Sequence, residues 1–387
     1  MPVGLNFEQI YGILPYPLDI APFKIKYGPY AVTGGPRAGY RSQRSLDLVT
    51  AYAEGLKNAF EALKDRVFTN TNPPGLIQVA VCHIPDYLSG ARNEPTTIPS
   101  RTGPRILLSN RSSEISTATR VDRARTEATH EVCHVFQFTK RPRQDDPVWD
   151  SWEWMNDAAA VYCEQLVHPG GAESCFYCQD WLDSPEVSLD KQTYPSSMFV
   201  RWYASKFTPK SIGQIWEDAK ASEGPLDAIE AITARSINDL FTDYARDGFF
   251  LCDPASPCYY PDVHFLWGTR EIRKRFVLPA ENGNPFAGSL DHLAAEYFEV
   301  RVGSGVSSVE CTFESIAEPT ALRAWIAEVK YNLHRGATEE LKPLGASVRK
   351  AAITLSGSEL DYLVIVVTNG SRSQDKVSFK LTVTAVV

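Results

Sequence analysis

From about Arg44 to Arg66 the apolar residues Leu48, Tyr52, Leu56, Ala59, Phe60 and Leu63 recur every three or four positions, which predicts an amphipathic helix with one buried face. Stretches of strand character flank it. FKIKYG (23–28) alternates, LIQVAVCHI (76–84) is an apolar run rich in β-branched residues, and RILLSN (105–110) reads the same way. The Gly/Pro-rich TGGPRAG, the loop TNTNPPG and the polar residues 86–103, broken by Pro and Gly, predict the turns between them. A second helix is predicted from about Val121 to Thr139, after SNRSSEISTATR, which is well supplied with Ser and Thr caps. Helical patterns then cover 150–166, 196–207, 210–221, 225–233 and 237–250.

Past Leu290 the pattern changes to strands: EYFEVRVG, SSVECTFESI, LRAWIAEVKY, VRKAAITLSG, YLVIVVTNG and VSFKLTVTAVV. In the last, Phe379, Leu381, Val383 and Ala385 share one face while Ser378, Lys380, Thr382 and Thr384 share the other. The predicted architecture is an α+β lobe over 1–140 with a small mixed sheet, a helical lobe over 141–285, and an all-β sandwich over 290–387. CDPASPCYYPDVHFLWG and LPAENGNPFAG (278–288) mark the end of the helical lobe. RILLSN fits two roles, an edge strand able to pair with an extended peptide or an interior strand of the sheet.

Composition narrows the function. A length of 387 residues exceeds one ordinary core, and 43% hydrophobic with 22% charged residues is the balance of a soluble globular protein. The net charge of −8 and the lack of a basic stripe interleaved with aromatics argue against a nucleic-acid partner. No run of 18 apolar residues offers a membrane span. The opening MPVGLNFEQIYGILPYPLDI lacks the basic start and apolar block of a secretory signal. Among the 8 cysteines, Cys252 and Cys258 bracket a short turn and Cys175 and Cys178 form a CFYC pair; read as disulfides they favour an exported protein. A second CxxC at zinc-ribbon distance is missing, while Cys133 and Cys163 fit helical patterns as buried small hydrophobes.

The chemistry concentrates at His130-Glu131-Val132-Cys133-His134. Two histidines four apart on a helix project from one face and can grip one metal ion, and the intervening Glu131 is placed to accept a proton from water activated by that ion. Zinc normally takes three protein ligands in a catalytic site. DSWEWMNDAAAVYCEQL (150–166) supplies Glu153, Asp157 and Glu164 on one helical face, and spacing alone does not choose among them. His83, at the end of a strand, reads as a structural histidine.

HEVCHVFQ followed by WMNDAAAVYCE resembles the gluzincin metallopeptidases, whose second motif commonly reads W-L-N-E-G-x-A-x-Y with its Glu as third zinc ligand. Matching Trp154, Met155, Asn156, Ala160 and Tyr162 puts Asp157 at that position, with Asp in place of Glu and Ala158 in place of Gly. The resemblance implies a zincin-like fold and one zinc ion per chain held by His130, His134 and Asp157. Glu153 stands as the second choice of ligand, and Glu164 as a supporting or structural residue. TYPSSMFVRWYASKFTPKSIGQIWEDA (193–219) is similar to the family's following segment, in which a Tyr before a helix faces the substrate carbonyl. Tyr194, held extended by Pro195, is thereby a candidate oxyanion donor, with His264 a weaker one. YLVIVVTN is similar to sandwich domains that follow the catalytic part of some secreted gluzincin-like proteins.

The expectation is a zinc metallopeptidase acting on a peptide or protein substrate, with Glu131 as general base. Two other classes fit: a non-catalytic zincin fold used for binding, and a carbohydrate- or surface-binding protein led by the sandwich. The latter draws on 8 Trp and 17 Tyr, which are spread through the chain and not gathered in the sandwich.

Overall fold

A computed structural model describes residues 16–31, 43–73, 75–83, 96–98, 104–109, 117–140, 147–169, 174–220, 223–250, 271–315, 321–330, 334–343, 348–355 and 360–386. The described residues form a mixed α and β protein with eight α-helices and three five-stranded sheets. The chain divides into two compact units, Met1–Ser174 with Phe207–Ala228, and Cys175–Lys206 with Ile229–Val387. The stretch 141–285 contributes to both.

The first unit contains strands β1 (Tyr16–Ile20), β2 (Phe23–Ala31), β3 (Ile77–His83), β4 (Thr96–Ile98) and β5 (Arg105–Ser109). They lie in the order β1-β2-β3-β5-β4. The three inner strands are parallel, and β1 and β4 pair antiparallel at the two edges. Parallel neighbours need a crossover, which helix α1 (Gln43–Arg66) supplies between β2 and β3. Leu48, Tyr52, Leu56, Ala59 and Leu63 are all buried, as the period of three and four predicts, and Phe60 is half-buried at the margin of that face.

Of the two roles open to RILLSN, the structure has the interior one, because β5 is flanked by β3 and β4. The edge belongs to β4, three residues within the stretch expected as a surface loop; its Thr-Thr pair is β-branched, and it bonds to β5 from Thr96↔Leu107 to Ile98↔Arg105. The hairpin partner β1 was also not foreseen in the N-terminal segment.

Helix α2 (Thr117–Lys140) carries the HEVCH residues, and α1 crosses it closely. A side-chain carbon on Gly55 would stand 2.9 Å from Arg125 Cα and 3.0 Å from Ala128 Cβ, so the crossing needs a residue without one. Below, an aromatic chain runs from Phe23 to Phe60, Phe136, Phe68, Trp216 and Trp152, with successive centroids 5.8, 5.2, 5.1, 6.0 and 5.7 Å apart. Phe136 is fully buried, and truncating a buried Phe to Ala costs about 3–5 kcal/mol, so this packing fixes the helix. Trp152 lies on α3 (Trp149–Val167), and the aromatic chain joins it to α2.

The second unit contains helices α4 (Ser174–Asp183), α5 (Ser197–Lys206) and α8 (Ile237–Phe249), while α6 (Pro209–Asp218) belongs to the first. The helix α7 (Pro225–Thr233) spans the division at Ala228. Its strands are β6 (Lys274–Leu278), β7 (Pro285–Leu290), β8 (Ala294–Val302), β9 (Ser308–Ser315), β10 (Leu322–Lys330), β11 (His334–Glu340), β12 (Lys342–Pro343), β13 (Val348–Thr354), β14 (Leu360–Asn369) and β15 (Val377–Val386). One sheet has the order β11-β10-β14-β8-β6 and the other β12-β13-β9-β15-β7. Both contribute to a common core that includes Phe298, Phe313, Ile365 and Phe379. β15 buries Phe379, Leu381, Val383 and Ala385, as its alternation predicts. β14 is apolar on both faces because its other side, Val364 and Val366, packs with Phe249 and Phe250 at the end of α8. Strands begin at Lys274, before the expected boundary. β7 starts inside the Pro-rich LPAENGNPFAG, with Pro285 at its first position, where a missing N–H is tolerated.

His292, between β7 and β8, bonds through Nδ1 to Asp375 at 2.5 Å and through Nε2 to Asp190 at 3.0 Å. Burial lowers its pKa, but the two carboxylates outweigh this and hold it above the ordinary value of 6.5, while the same bond holds Asp375 below its own. A raised histidine pKa contributes stability that is complete below about pH 6.5 and is lost as pH rises through the folded value. The difference in urea midpoint between the native chain and His292→Gln is therefore expected to shrink from pH 6 to pH 9; an unchanged difference would contradict it.

Candidate metal centre

His130 and His134 lie one turn apart on α2, and Asp157 faces them from α3. One donor atom from each of the three lies within 4.8 Å of the others. His134 Nε2 stands 3.4 Å and His130 Nε2 3.9 Å from Asp157 Oδ1. The Nδ1 atoms are engaged elsewhere. Glu164 Oε1 meets His130 Nδ1 at 2.5 Å, and Gln137 Oε1 meets His134 Nδ1 at 2.7 Å. Each ring is thus held by the nitrogen pointing away from Asp157, an arrangement that fixes tautomer and orientation in metal-binding histidines.

The support extends outward. Gln137 Nε2 donates to the Asn156 carbonyl at 3.0 Å, and Trp216 Nε1 donates to Asn156 Oδ1 at 3.1 Å. The His134 ring also stacks on Phe138, centroids 5.4 Å apart and planes at 7°. Gln137, Asn156 and Trp216 are buried, so this chain is locked by packing at both ends.

The three candidate acids on α3, Glu153, Asp157 and Glu164, separate by level. Positions four and seven apart point the same way, but at 1.5 Å per residue they sit about 6 and 10 Å apart along the axis. Glu153 is exposed, Asp157 is half-buried beside the histidines, and Glu164 is buried against His130 Nδ1. Among the described residues, the only cluster of metal-ligating side chains is His130, His134 and Asp157.

Charge follows the geometry. Burial raises the Asp157 pKa, but the two imidazoles beside it prevail and hold it well below the usual carboxylate range. Burial disfavours the charged form of His130, yet Asp157 and Glu164 push its pKa well above 6.5. Glu131 is buried, and that burial raises its pKa despite the nearby histidines. Its Oε2 accepts from Thr97 Oγ1 at 2.6 Å, so the β4 edge strand touches the acid directly.

No protein-family model and no curated protein matches this chain. Two solved structures are similar at 12% identity. One is the pre-peptidase C-terminal domain of a collagenase from Bacillus anthracis, covering 30% of this chain and 99% of that one with a TM-score of 0.23. The other is a family GH115 4-O-methyl-α-glucuronidase with specificity for decorated arabinogalactans, covering 71% of this chain and 40% of that one with a TM-score of 0.18.

Of the remaining sequence candidates, Tyr194 lies in the second unit, at the start of a one-turn 3-10 helix, Tyr194–Ser196, that precedes α5. Its ring stacks on Tyr177 with centroids 5.0 Å apart. His264 and the Cys252–Cys258 loop lie outside the described residues, as do the side chains of His83, Cys175 and Cys178. Cys133 and Cys163 are free, fully buried and in contact, Sγ to Sγ 3.4 Å. Sequence reasoning missed Gln137 and Thr97. Gln137 was signalled, standing three after His134 on the same helical face, whereas Thr97 is brought in only by strand pairing.

Replacing Glu164 by Ala removes the carboxylate that meets His130 Nδ1, and the loss of such a partner from a metal-bound histidine weakens metal binding by about 10–100-fold. Zinc titration against a competing chelator checks this, and an unchanged affinity would show that Glu164 does not orient the ring.

Proposed function

We propose that the chain is a zinc-dependent metallopeptidase of gluzincin type, hydrolysing peptide bonds in a peptide or protein substrate. The observation that carries this reading is the convergence of His130, His134 and Asp157 donors within 4.8 Å, with both Nδ1 atoms secured by other side chains. Two imidazoles and a carboxylate suit zinc, and the shorter Asp is accommodated where α3 lies close to α2. Zinc bound there supplies a Lewis acid that polarises a carbonyl and makes water more acidic.

Glu131 is the general base. Water attacking the carbonyl carbon gives its proton to this carboxylate, which passes it to the amine nitrogen as the C–N bond breaks. Its raised pKa favours the first transfer, because a more basic carboxylate accepts the proton more readily. The Thr97 hydroxyl holds the side chain in place. The β4 strand pairs with β5 and with no other described strand, leaving an edge beside Glu131 for an extended substrate. We read the first unit as zincin-like and the paired sheets of the second as a β-sandwich.

The test is hydrolysis of an unstructured protein substrate by zinc-loaded chain, with and without a zinc chelator. Chelator-reversible cleavage is expected. No cleavage by fully zinc-loaded protein would overturn the reading.

A further inference from the structure

Within the first unit, side chains of α2 and α3 meet in successive rungs: His130 with Glu164, Cys133 with Cys163, and Gln137 with the Asn156 carbonyl. As α2 advances from 130 to 137 its partners on α3 recede from 164 to 156, so the two helices lie antiparallel. The middle rung is a pair of thiols. Their Sγ atoms are 3.4 Å apart, and both cysteines are fully buried. Each stands next in the chain to a residue of the metal centre, Cys133 before His134 and Cys163 before Glu164. A buried cysteine that serves only as a small hydrophobe needs no second thiol against it. A disulfide holds its sulfurs about 2.0 Å apart, so each sulfur here has about 0.7 Å to travel, a small turn about its Cα–Cβ bond.

We propose that Cys133 and Cys163 close into a disulfide when the chain folds under oxidising conditions, cross-linking the two helices that carry the metal ligands. The oxidant is a low-molecular-weight disulfide. One cysteine, as its thiolate, attacks a sulfur of that molecule, forming a mixed disulfide and expelling one small thiolate. The other cysteine then attacks the protein sulfur of the mixed disulfide, forming the Cys133–Cys163 bond and expelling the second small thiolate. Two protein thiols are oxidised, one small disulfide is reduced to two thiols, and the two protein protons pass to them. Both side chains are inaccessible in the folded chain, so the exchange belongs to the stage before α2 and α3 pack, and burial afterwards shields the bond from reductant. The crosslink fixes the register that brings Asp157 to His134 and Glu164 to His130, whichever metal the site holds. It joins residues 30 apart, and closing a loop of that length in the unfolded chain raises the melting temperature of a unit this size by about 5–10 °C.

The experiment refolds the full chain either with a mixture of oxidised and reduced glutathione or with dithiothreitol. Each folded sample is alkylated in denaturant, digested without reduction and examined by mass spectrometry. The glutathione sample is expected to give a peptide pair joined through Cys133 and Cys163 that separates on reduction, and the dithiothreitol sample both cysteines alkylated. The difference in melting temperature between the two samples should be smaller by about 5–10 °C in Cys133→Ala/Cys163→Ala, a comparison in which the packing lost by truncation cancels. The mass spectrum is read on the native chain, so it decides the matter even if the double variant folds poorly. Recovery of both cysteines alkylated from the glutathione sample, or of either joined to a different cysteine, overturns the proposal. So does a temperature difference that is the same in the native chain and the double variant.

Discussion

With Glu131 replaced by Gln, the chain is expected to keep one zinc ion and lose about 10²–10⁴-fold in kcat/KM, the usual contribution of a positioned acid–base group. Gln has the shape of Glu and can still bond to Thr97 Oγ1, so the fold of α2 and the metal ligands are untouched. What it lacks is the carboxylate that receives the proton in the proposed mechanism. The fall should appear mainly in kcat, because in the proposed mechanism the residue acts only once the carbonyl is under attack. Elemental analysis of the same preparation separates this from metal loss. Undiminished turnover at full zinc occupancy would remove Glu131 from the mechanism.

The second large effect concerns Asp157. Its replacement by Ala takes away a donor that stands 3.4 Å from His134 Nε2 and leaves the two imidazoles alone. Zinc affinity should fall by more than the about 10–100-fold expected for removing the supporting Glu164. The ordering is the informative part, since Glu164 touches only the far side of His130 and Asp157 touches the side where the donors converge. Glu153→Ala should leave affinity unchanged, as that side chain is exposed and outside the cluster. If Glu153→Ala cost more zinc than Asp157→Ala, the ligand assignment would be wrong.

Some of this was legible in the sequence. The apolar period of α1 gave its bounds within a residue, because a helix with one apolar stripe writes its period directly into the chain, while Ser/Thr caps and helical patterns placed α2 and α3 within a few residues. The strands of the C-terminal region showed for the same reason, β15 through alternation and β14 through an apolar run, though that run's cause, α8 covering its outer face, lies far away in sequence. Short strands carry too few residues to show a period. Thus β4 was hidden in a polar stretch, and the pattern of RILLSN left edge and interior roles equally open for β5, which is interior. The start of β7 was masked by prolines and glycines that usually signal a boundary.

At the candidate site, the pair of histidines and the identities of the three α3 acids could be read, but not their separate levels. That separation depends on how α2 and α3 cross, a tertiary property. Gln137 was readable from spacing on its own helix, whereas Glu164 on His130 and Thr97 on Glu131 join residues 34 apart.

The central claim is that this chain cuts peptide bonds with a zinc ion held by α2 and α3. It is tested most directly by incubating a complex peptide mixture with zinc-loaded chain and identifying new peptide termini by mass spectrometry. The account predicts new termini that disappear on chelation, return with added zinc and are absent with Glu131→Gln. A zinc-loaded chain that generates none, or a Glu131→Gln variant that generates the same set at the same rate, would contradict it.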